Sequence, residues 1–367
     1  MLKKVKNIIV NLLTLVALVV GLSLVAVSYS DLIPPEKHPL LACAGMVMPA
    51  VLVLNVAMLL VMLSVRWRRA WIPLAAFCIS YLAIRTYVPL HFASSDDAPR
   101  KTILRVMSYN VCGYGGNKKY NHALDTITSY IVKQDVDVVC LQEEQNSKGK
   151  TVERWQELYP YNDTLTVSKS TNLGINVIGI HSRLPIVKKE VIAYESKTNG
   201  SVAYFLLRDR DTILVINNHL EGTHLTEKER DQYQEILKGK KDHKEAEEGL
   251  YSLIGKLSRS MVKRAPEARL LHDYIEAHSQ YPIIVCGDFN DTPISYARRT
   301  VAKGLTDCFA EAGCGLGLSY NRKGFNFRID HIFCSDHFTP VSCKVDSKMD
   351  ASDHYPMICS MKMNNKP

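Results

Sequence analysis

The chain has 367 residues, a net charge of +8 and a hydrophobic content of 47%. This length exceeds that of one typical domain, so we expect two regions. The first 99 residues and the rest of the chain each have a net charge of +4. So weak a positive charge argues against a protein that grips long nucleic acid through many phosphates, but it leaves small phosphorylated substrates open.

Three apolar segments at the start of the chain predict a membrane anchor. Residues 8–28 and 39–65 contain no charged residue, and residues 70–90 contain only Arg85. About 20 apolar residues span a bilayer, so each segment is long enough for a transmembrane helix if Arg85 reaches an interface. The first segment could instead be a signal peptide, because residues 26–28 resemble a small-residue cleavage site.

Two clusters of basic residues set the expected orientation of this anchor. They are Lys3, Lys4 and Lys6 before the first segment, and Arg66, Arg68 and Arg69 between the second and third. Basic residues favour the cytoplasmic side of a membrane. Three spans would therefore place everything after residue 90 on the far side of the bilayer.

The ten cysteines give a different indication about the compartment. They include no CxxC pair, so no zinc site is expected. Cys140 and Cys286 belong to apolar runs, where cysteine behaves as a small buried hydrophobe, whereas Cys308 and Cys314 could form a disulfide. So many cysteines without obvious pairing count against an oxidising compartment. The distribution of basic residues nevertheless favours a location outside the cytoplasm for the chain after residue 90.

Residues 91–101 are small and polar and predict a linker, which leaves residues 102–367 as one soluble domain. Helices are predicted over residues 120–133 and 226–278, with an exposed loop at 238–249. Strands are predicted over residues 103–110, 136–141, 173–181, 186–193, 201–207, 212–217, 283–286, 328–334 and 355–361. Many short strands with few helices between them indicate packed sheets covered by helices, not a single parallel sheet.

Polar side chains stand at the ends of six of these apolar runs. They are Asn110, Glu143, His219, Asp288 with Asn290, Asp330, and Asp353 with His354. Any one of them could simply end a strand or form a polar turn. In α/β sheets, however, ligands bind at the carboxyl ends of strands. The joint occurrence therefore predicts a single site.

These residues fall within six short motifs, in the order MSYNV, LQE, NHLE, GDFNDTP, RIDHIF and SDHYP. The series resembles the endonuclease/exonuclease/phosphatase superfamily and, with the membrane segments, its bacterial integral-membrane members. The resemblance implies a four-layered α/β sandwich, in which two packed mixed β-sheets carry outer helices. It implies a phosphoesterase in the bacterial cytoplasmic membrane, preceded by the three-helix anchor.

The same resemblance suggests a divalent-metal site. It assigns the metal-ligand role to Glu143, beside which Asn110 would add a neutral oxygen, while Asp353 would act through water. Oxygen ligands suit Mg²⁺ or Mn²⁺. Some nucleases of the superfamily carry an aspartate two residues after the motif asparagine. This chain has Cys112 there, which puts a second direct metal site in doubt.

The remaining motif residues would act on the substrate. Asp330 would orient His354, which could hold the phosphate or move a proton. Asp288 and Asn290 would flank the path of the attacking water, and Asp288 could orient or deprotonate that water. His219 would donate to a non-bridging phosphate oxygen. Which group is the general base is left open.

Several neighbouring polar residues are expected to have structural roles. Arg183 is read as part of a turn, Glu221 and His224 as the start of the charged helix, and Arg264 and Arg269 as a solvated helix face. Each of the last four could alternatively belong to the site, and either arginine could reach a phosphate.

The substrate is not identified by the sequence. A phosphatase or phosphodiesterase acting on a lipid-linked or envelope phosphate is favoured over a nuclease, because no stripe of aromatic and basic residues is present to stack bases. No stable nucleic-acid partner is therefore expected, and the oligomeric state is open. The alternative from another class is a catalytically silent binding domain on the same fold.

Overall fold

The computed structural model describes residues 2–92, 102–115, 123–145, 150–167, 176–196, 199–322 and 325–364. Most of the predicted linker, residues 93–101, lies outside the described residues. So do the first residues of the helix predicted over 120–133 and of the strand predicted over 173–181. The division into anchor, linker and soluble domain stays a prediction.

Fourteen strands are present in the described part of the soluble region. They are β1 Ile103–Asn110, β2 Val138–Gln142, β3 Tyr161–Thr166, β4 Val177–Ser182, β5 Ile186–Ile192, β6 Gly200–Arg208, β7 Asp211–His219, β8 Ile283–Asp288, β9 Thr306–Asp307, β10 Tyr320–Arg322, β11 Phe325–Phe327, β12 Asp330–Cys334, β13 Phe338–Val345 and β14 Met357–Met363. One six-stranded sheet has the order β13-β14-β1-β2-β4-β3, and the other β5-β6-β7-β8-β12-β9. Strands β10 and β11 form a separate hairpin.

Each sheet contains one parallel pair among antiparallel neighbours. Strand β1 pairs in parallel with β2, and β7 pairs in parallel with β8. Parallel strands end at the same edge of a sheet, so each pair delivers two carboxyl ends to one place. The remaining pairings are antiparallel, and both sheets are therefore mixed.

Side-chain alternation along the strands builds the layers. In β1, Leu104 and Val106 point between the two sheets, whereas Met107 points to the opposite face. In β8, Ile284 points between the two sheets, and Val285 points to the opposite face. Successive side chains of a strand point to opposite faces of the sheet. Because both faces of these strands are apolar, each face must be covered by another layer of the protein.

Helices supply those covering layers, which confirms the predicted four-layered sandwich. Helices α6 Ala123–Lys133 and α7 Lys150–Leu158 cover the first sheet, where Ile127 and Trp155 are buried. The second sheet is covered by α9 His243–Ala277 and α10 Tyr296–Val301, through residues such as Leu271. Helices α8 Glu227–Leu237 and α11 Cys308–Ala312 complete this region.

Two local predictions in this region need correction. The exposed loop predicted over 238–249 is shorter, because Asp242 caps α9 by accepting a hydrogen bond from the Glu245 amide at 2.8 Å. Strand β13 is not among the predicted strands, and it contains Pro340, which cannot donate a backbone hydrogen bond. Pro340 is accommodated beside a bulge in a strand at the edge of its sheet.

The N-terminal region contains two helices long enough to cross a membrane, α1 Leu2–Ser28 and α3 Met48–Arg66. Only 22% and 17% of their most apolar stretches are buried. Helices of this length with exposed apolar side chains are consistent with membrane association. The span predicted over 39–65 begins irregularly, with α2 Pro39–Ala42 and a 3-10 helix over Cys43–Val47.

The prediction of a third continuous spanning helix over 70–90 is wrong. This segment forms two short helices, α4 Trp71–Ile79 and α5 Tyr81–Tyr87, separated at Ser80. The second half packs on the soluble domain, where Tyr87 is 2% exposed and the Thr86 carbonyl accepts a 2.5 Å hydrogen bond from Arg328. These tertiary contacts outweigh the continuous apolar pattern.

Hydrogen bonds to α1 define the direction of this third segment. Arg69, just before α4, donates to Asn11 and Thr14 in the first half of α1. The hydroxyl of Tyr29, just after α1, donates to the carbonyl of Ile79 at the end of α4. Helix α4 therefore runs beside α1 in the same direction and ends where α1 ends, and α5 continues beyond that point.

The soluble domain packs against that same end of the anchor. Gly45 is in backbone contact with Ile294, since a Cβ at residue 45 would lie 1.8 Å from the Ile294 carbonyl oxygen. Ion pairs join Asp31 to Arg299 at 3.2 Å and Glu36 to Arg269 at 2.5 Å. Arg269 was expected on a solvated helix face. It contacts the anchor instead, through its ion pair with Glu36.

All ten cysteines are unpaired in the structure. Cys140 and Cys286 are fully buried between the sheets, as predicted from their apolar surroundings. The disulfide considered between Cys308 and Cys314 is not formed, because Cys308 is buried in the core and Cys314 is exposed.

Candidate active site

The polar residues at the strand ends converge on one edge of the sandwich. Asn110 ends β1 and Glu143 follows β2 in the first sheet, while His219 and Asp288 end β7 and β8 in the second. Strand β12 runs antiparallel to β8 and begins with Asp330, directly opposite Asp288. The register of the strands thus gathers side chains that are far apart in sequence.

A glycine allows the two strand ends of the second sheet to approach closely. Gly287 has a φ of 141°, and a Cβ there would lie 2.0 Å from the Asn218 carbonyl oxygen. Only glycine fits such an approach. The next pair in the register is His219 and Asp288, whose Nε2 and Oδ2 atoms are 3.7 Å apart.

Asn110 holds two carboxylates. Its Nδ2 donates to Glu143 Oε1 and to Asp288 Oδ2, each at 3.1 Å. Its oxygen accepts from the Cys112 amide at 3.0 Å. The amide nitrogen, and not the oxygen, therefore faces the carboxylates. This geometry favours a positioning role for Asn110, and its role as a metal ligand stays a prediction.

Glu143 reaches into the open part of the site. Its backbone φ of 53° lies in the left-handed region, which costs a non-glycine residue of order 1 kcal/mol or more. The turn directs a side chain that is 38% exposed towards the cavity, with Oε1 3.8 Å from His219 Nε2. Glu143 is thus the more accessible of the two carboxylates that Asn110 contacts.

The orientation of His219 depends on Asn176, which the sequence analysis did not single out. The Asn176 amide nitrogen lies 2.7 Å from His219 Nδ1. With Asn176 as the donor, the ring proton is on Nε2, which faces Glu143 and Asp288. Asn176 directly precedes β4 but falls inside the strand predicted over 173–181, so the local pattern carries no separate signal for this role.

Asp330 and His354 form the second pair, as the sequence analysis expected from the motifs. Asp330 Oδ2 lies 2.9 Å from His354 Nδ1, and both residues are buried. Burial alone would lower the pKa of His354, but the carboxylates of Asp330 and Asp288 outweigh burial and raise this pKa to about 10. The ring is therefore an imidazolium at neutral pH.

Asp288 occupies the centre of the site. Its Oδ2 lies 3.6 Å from His354 Nε2, and its Oδ1 accepts from the Asn290 amide at 2.8 Å. Burial is the largest influence and raises the pKa of Asp288. The carboxylate of Asp330 adds to this effect, and His354 and His219 oppose it. A buried carboxyl with a raised pKa is suited to accept a proton.

Asn290 and Asp353 stand at the margins of the cluster. Asn290 has a left-handed φ of 52°, and its side chain donates to the Leu220 carbonyl at 2.9 Å, which ties together the loops after β7 and β8. Asp353 accepts a 2.8 Å hydrogen bond from Arg322. Burial raises the pKa of Asp353, but His354 and Arg322 outweigh burial and lower it.

These residues line a cavity of about 300 Å³. The polar residues that line it include Glu143, His219, Asp288, Asn290, Asp353 and His354. The apolar residues that line it include Met46, Leu225, Leu257, Met261, Phe325 and Phe327. Cys112 and Arg322 also face this cavity.

Arg264 and Glu221 depart from the expected solvated helix. Arg264 is 1% exposed and lines the cavity. Its Nη1 lies 2.6 Å from Asp291 Oδ2, and its Nε donates to the Glu221 carbonyl at 2.9 Å. Glu221 precedes the helix and is buried beside Asn199, Lys263 and His224. Arg264 therefore links the two loops that carry the site. Arg183, by contrast, pairs with exposed Asp135 away from the cavity.

Residues 107–354 match the model of the endonuclease/exonuclease/phosphatase family. The chain belongs to this family. A second family model, described as a domain of unknown function, matches residues 10–87. No curated protein sequence matches the chain.

Solved structures support the family fold. A Beutenbergia cavernae endonuclease/exonuclease/phosphatase aligns with a TM-score of 0.53 at 18% identity, covering 72% of each chain. The Bacteroides vulgatus family member aligns with a TM-score of 0.50 at 16% identity, covering 72% of this chain and 100% of its own. D. rerio TDP2 complexed with a single-strand DNA product gives the same TM-score and identity, covering 71% and 100%. At these identities the likeness concerns the fold.

The family implies a divalent metal, and the residues present fit one. Asp288, Asp330 and His354 offer ligand atoms within 4.8 Å of one another, and all three are buried. Asp330 and His354 already bond each other, whereas Glu143 and Asp288 present carboxylate oxygens beside the cavity. Several carboxylates at one place repel one another, so a cation would relieve this repulsion.

Proposed function

We propose that this family member is a membrane-anchored phosphoesterase that uses a divalent metal to hydrolyse a phosphate ester by in-line attack of water. One observation carries the proposal. Glu143, His219, Asp288 and His354 come from both sheets and line one cavity, while Asn110 and Asp330 orient them through hydrogen bonds. A silent binding domain would have no need of this full set.

Each side chain has a task in this proposal. Glu143 would hold Mg²⁺ or Mn²⁺, with Asp288 beside it and Asp353 acting through water. A bound cation would neutralise the phosphate oxygens and help to place the nucleophile. Asn110 keeps the Glu143 and Asp288 carboxylates at a fixed separation, because one amide nitrogen bonds both.

The hydrogen bonds of the acidic and basic side chains suggest which of them accepts a proton and which donate one. Asp288 accepts the proton of the attacking water, which Asn290 helps to orient. His219 donates from Nε2 to a non-bridging oxygen, since Asn176 occupies Nδ1. His354, charged and fixed by Asp330, donates to the phosphate and stabilises the negative charge that develops there.

The contacts of the anchor support an extracytoplasmic catalytic domain in a bacterial cytoplasmic membrane. The basic residues near residues 3–6 and 66–69 lie at one end of the anchor, and the soluble domain packs on the other. Since basic residues favour the cytoplasm, the chain after residue 90 would be outside. Helix α4 of the broken third segment runs beside α1, away from the basic residues and towards the soluble domain.

A tethered site encounters molecules in the same membrane at a raised effective concentration. We therefore propose a lipid-linked or envelope phosphate ester as the substrate. The second candidate is a membrane-tethered nuclease, because the structurally similar D. rerio TDP2 is complexed with single-strand DNA. The proposal places it second because the anchor would hold the site beside the bilayer.

The test is a substrate screen with the full chain in lipid nanodiscs. Phosphate monoesters, diesters, lipid phosphates and single-stranded DNA would be offered with Mg²⁺, with Mn²⁺ and with excess chelator. We expect hydrolysis of at least one phosphate ester, loss of activity in chelator and recovery when metal is restored. Full turnover in chelator would refute the metal assignment, and cleavage of DNA alone would favour the nuclease.

A further inference from the structure

The catalytic cavity is lined in part by the membrane anchor. Met46 belongs to the 3-10 helix Cys43–Val47, between the two long apolar helices, yet it faces the same cavity as Glu143 and His354. The backbone contact between Gly45 and Ile294 fixes this position, because only a residue without a side chain fits there. The anchor is thus part of the wall of the site as well as a tether.

Met46 continues an apolar wall formed by the soluble domain. Leu225, Leu257 and Met261 line the same cavity as Met46 and are each less than 10% exposed. Cys43, next to Met46 in the anchor, contacts the sulfur of Met261 at 3.6 Å. Methionine side chains are flexible and adapt to apolar ligands of varied shape.

This wall reaches the exposed apolar surface of the anchor. Val47 follows Met46 and is 49% exposed, and Leu40 and Leu41 in α2 are 66% and 55% exposed. These residues lie at the end of the anchor on which the soluble domain packs. Exposed apolar side chains of the anchor thus lie next in sequence to Met46, which faces the cavity.

We infer that the apolar wall of Met46, Leu225, Leu257 and Met261 binds the hydrocarbon part of an amphiphilic phosphate ester drawn from the bilayer. The phosphate would lie against the polar side of the cavity. A volume of about 300 Å³ is at the small end of ligand cavities, so it accommodates the phosphate and the first part of a chain. The rest of a long chain would stay outside the cavity, along Val47 and α2.

This inference rests on the proposed hydrolase activity and adds the residues that would bind the hydrocarbon part of the substrate. Its test compares butyl and decyl phosphates, each as monoester and methyl diester, with the full chain in nanodiscs. We expect kcat/KM to be at least tenfold higher for the decyl ester. Bilayer partitioning alone also favours long chains, so the decisive quantity is how substitutions in the wall change this decyl-to-butyl ratio.

Met46→Asn and Met261→Asn should each lower the decyl-to-butyl ratio at least fivefold, whereas Met46→Leu should preserve it, because leucine keeps an apolar surface. Val191→Ser is the matched control, since Val191 is an exposed apolar residue on β5 that does not line the cavity. Equal ratios in the wild type and both asparagine variants would overturn the inference while leaving the proposed function intact.

A binding measurement keeps the inference testable even if no ester is turned over. Methionine methyl groups can be labelled with ¹³C, and the Met46 signal can be assigned from its loss in Met46→Leu. Decyl phosphate should shift the Met46 and Met261 signals, and inorganic phosphate should leave them in place. Unchanged Met46 and Met261 signals at saturating decyl phosphate would overturn the inference, and a shift caused by single-stranded DNA alone would point to the nuclease.

Discussion

We propose that Asp330 and His354 act as one catalytic unit. Asp330 has no route of its own to the substrate, because it is buried and its Oδ2 bonds His354 Nδ1 at 2.9 Å. What Asp330 contributes is the orientation and the charge of the imidazole. Loss of either partner should therefore remove the same function.

We expect Asp330→Asn and His354→Ala each to lower kcat by at least about a hundredfold, and the double variant to cost little more than His354→Ala alone. The measurement is a double-mutant cycle on kcat for one phosphate ester, with folding checked by thermal unfolding. Strictly multiplicative losses would show that the two residues act independently.

The long helix α9 stabilises the loop that follows β7. Arg264 bonds the Glu221 carbonyl, and Glu267 accepts a hydrogen bond from the Glu221 amide at 2.8 Å. This loop continues from His219 and forms part of the cavity wall. A helix on the outer layer of the sandwich thus positions one side of the site.

Glu267 gives this contact a dependence on pH. Burial is the main reason that the pKa of Glu267 is raised from 4.5 to about 7, and the Glu221 carboxylate adds to it. The unfolded chain loses this proton first as pH rises. The free energy of unfolding should therefore fall as the pH rises from about 4.5 to about 7. The total fall should be about 3 kcal/mol, because each unit of pKa difference corresponds to ~1.4 kcal/mol.

Glu267→Gln should remove this dependence while keeping an acceptor for the Glu221 amide. The midpoint of thermal unfolding of the full chain, measured from pH 4.5 to pH 8, should rise relative to wild type as pH increases. Glu235→Gln, at an exposed position in α8, is the control and should give a constant difference. A pH-independent difference for Glu267→Gln would contradict the account.

The sequence predicts an element or a site residue well where local pattern and tertiary environment agree. Strand β1 was predicted with its exact bounds, because an apolar run ended by Asn110 has one plausible conformation. Strand β3 and the break at Ser80 were missed, because β3 is polar at the edge of its sheet and the break depends on contacts of α5 with the soluble domain.

Site residues, like the strands and helices, were predictable where the local sequence pattern determines their position. The motif residues were predictable because they follow apolar strands, whereas Arg264 and Asn176 were not. The pattern of α9 places Arg264 on a charged helix, and only the fold shows it buried against Asp291. The role of Asn176 depends on a contact with His219, 43 residues further along the chain. Long-range pairing of polar groups leaves little trace in local sequence.

At the scale of the whole molecule, the anchor and the soluble domain share an extensive contact. The ion pairs Asp31–Arg299 and Glu36–Arg269 join the connection between α1 and α3 to the helices that cover the second sheet. In the proposed topology, this connection therefore lies on the same side of the membrane as the soluble domain. The basic clusters lie at the opposite end of the anchor.

A reporter fused after Pro367 should reveal this topology. Alkaline phosphatase, which is active only outside the cytoplasm, should be active, and a green fluorescent protein that matures only inside should stay dark. The reverse pattern would place the catalytic domain in the cytoplasm and agree with the ten unpaired cysteines. It would also remove the argument for an envelope substrate.

The central claim is that the strand-end carboxylates hold the divalent cation on which hydrolysis depends. Binding of Mn²⁺ by the full chain, followed by electron paramagnetic resonance, tests it most directly when wild type is compared with Glu143→Gln and with the exposed control Glu157→Gln. We predict that Glu143→Gln weakens Mn²⁺ binding at least tenfold and lowers hydrolysis in parallel, while Glu157→Gln matches wild type. Unchanged Mn²⁺ affinity and turnover in Glu143→Gln would contradict the account.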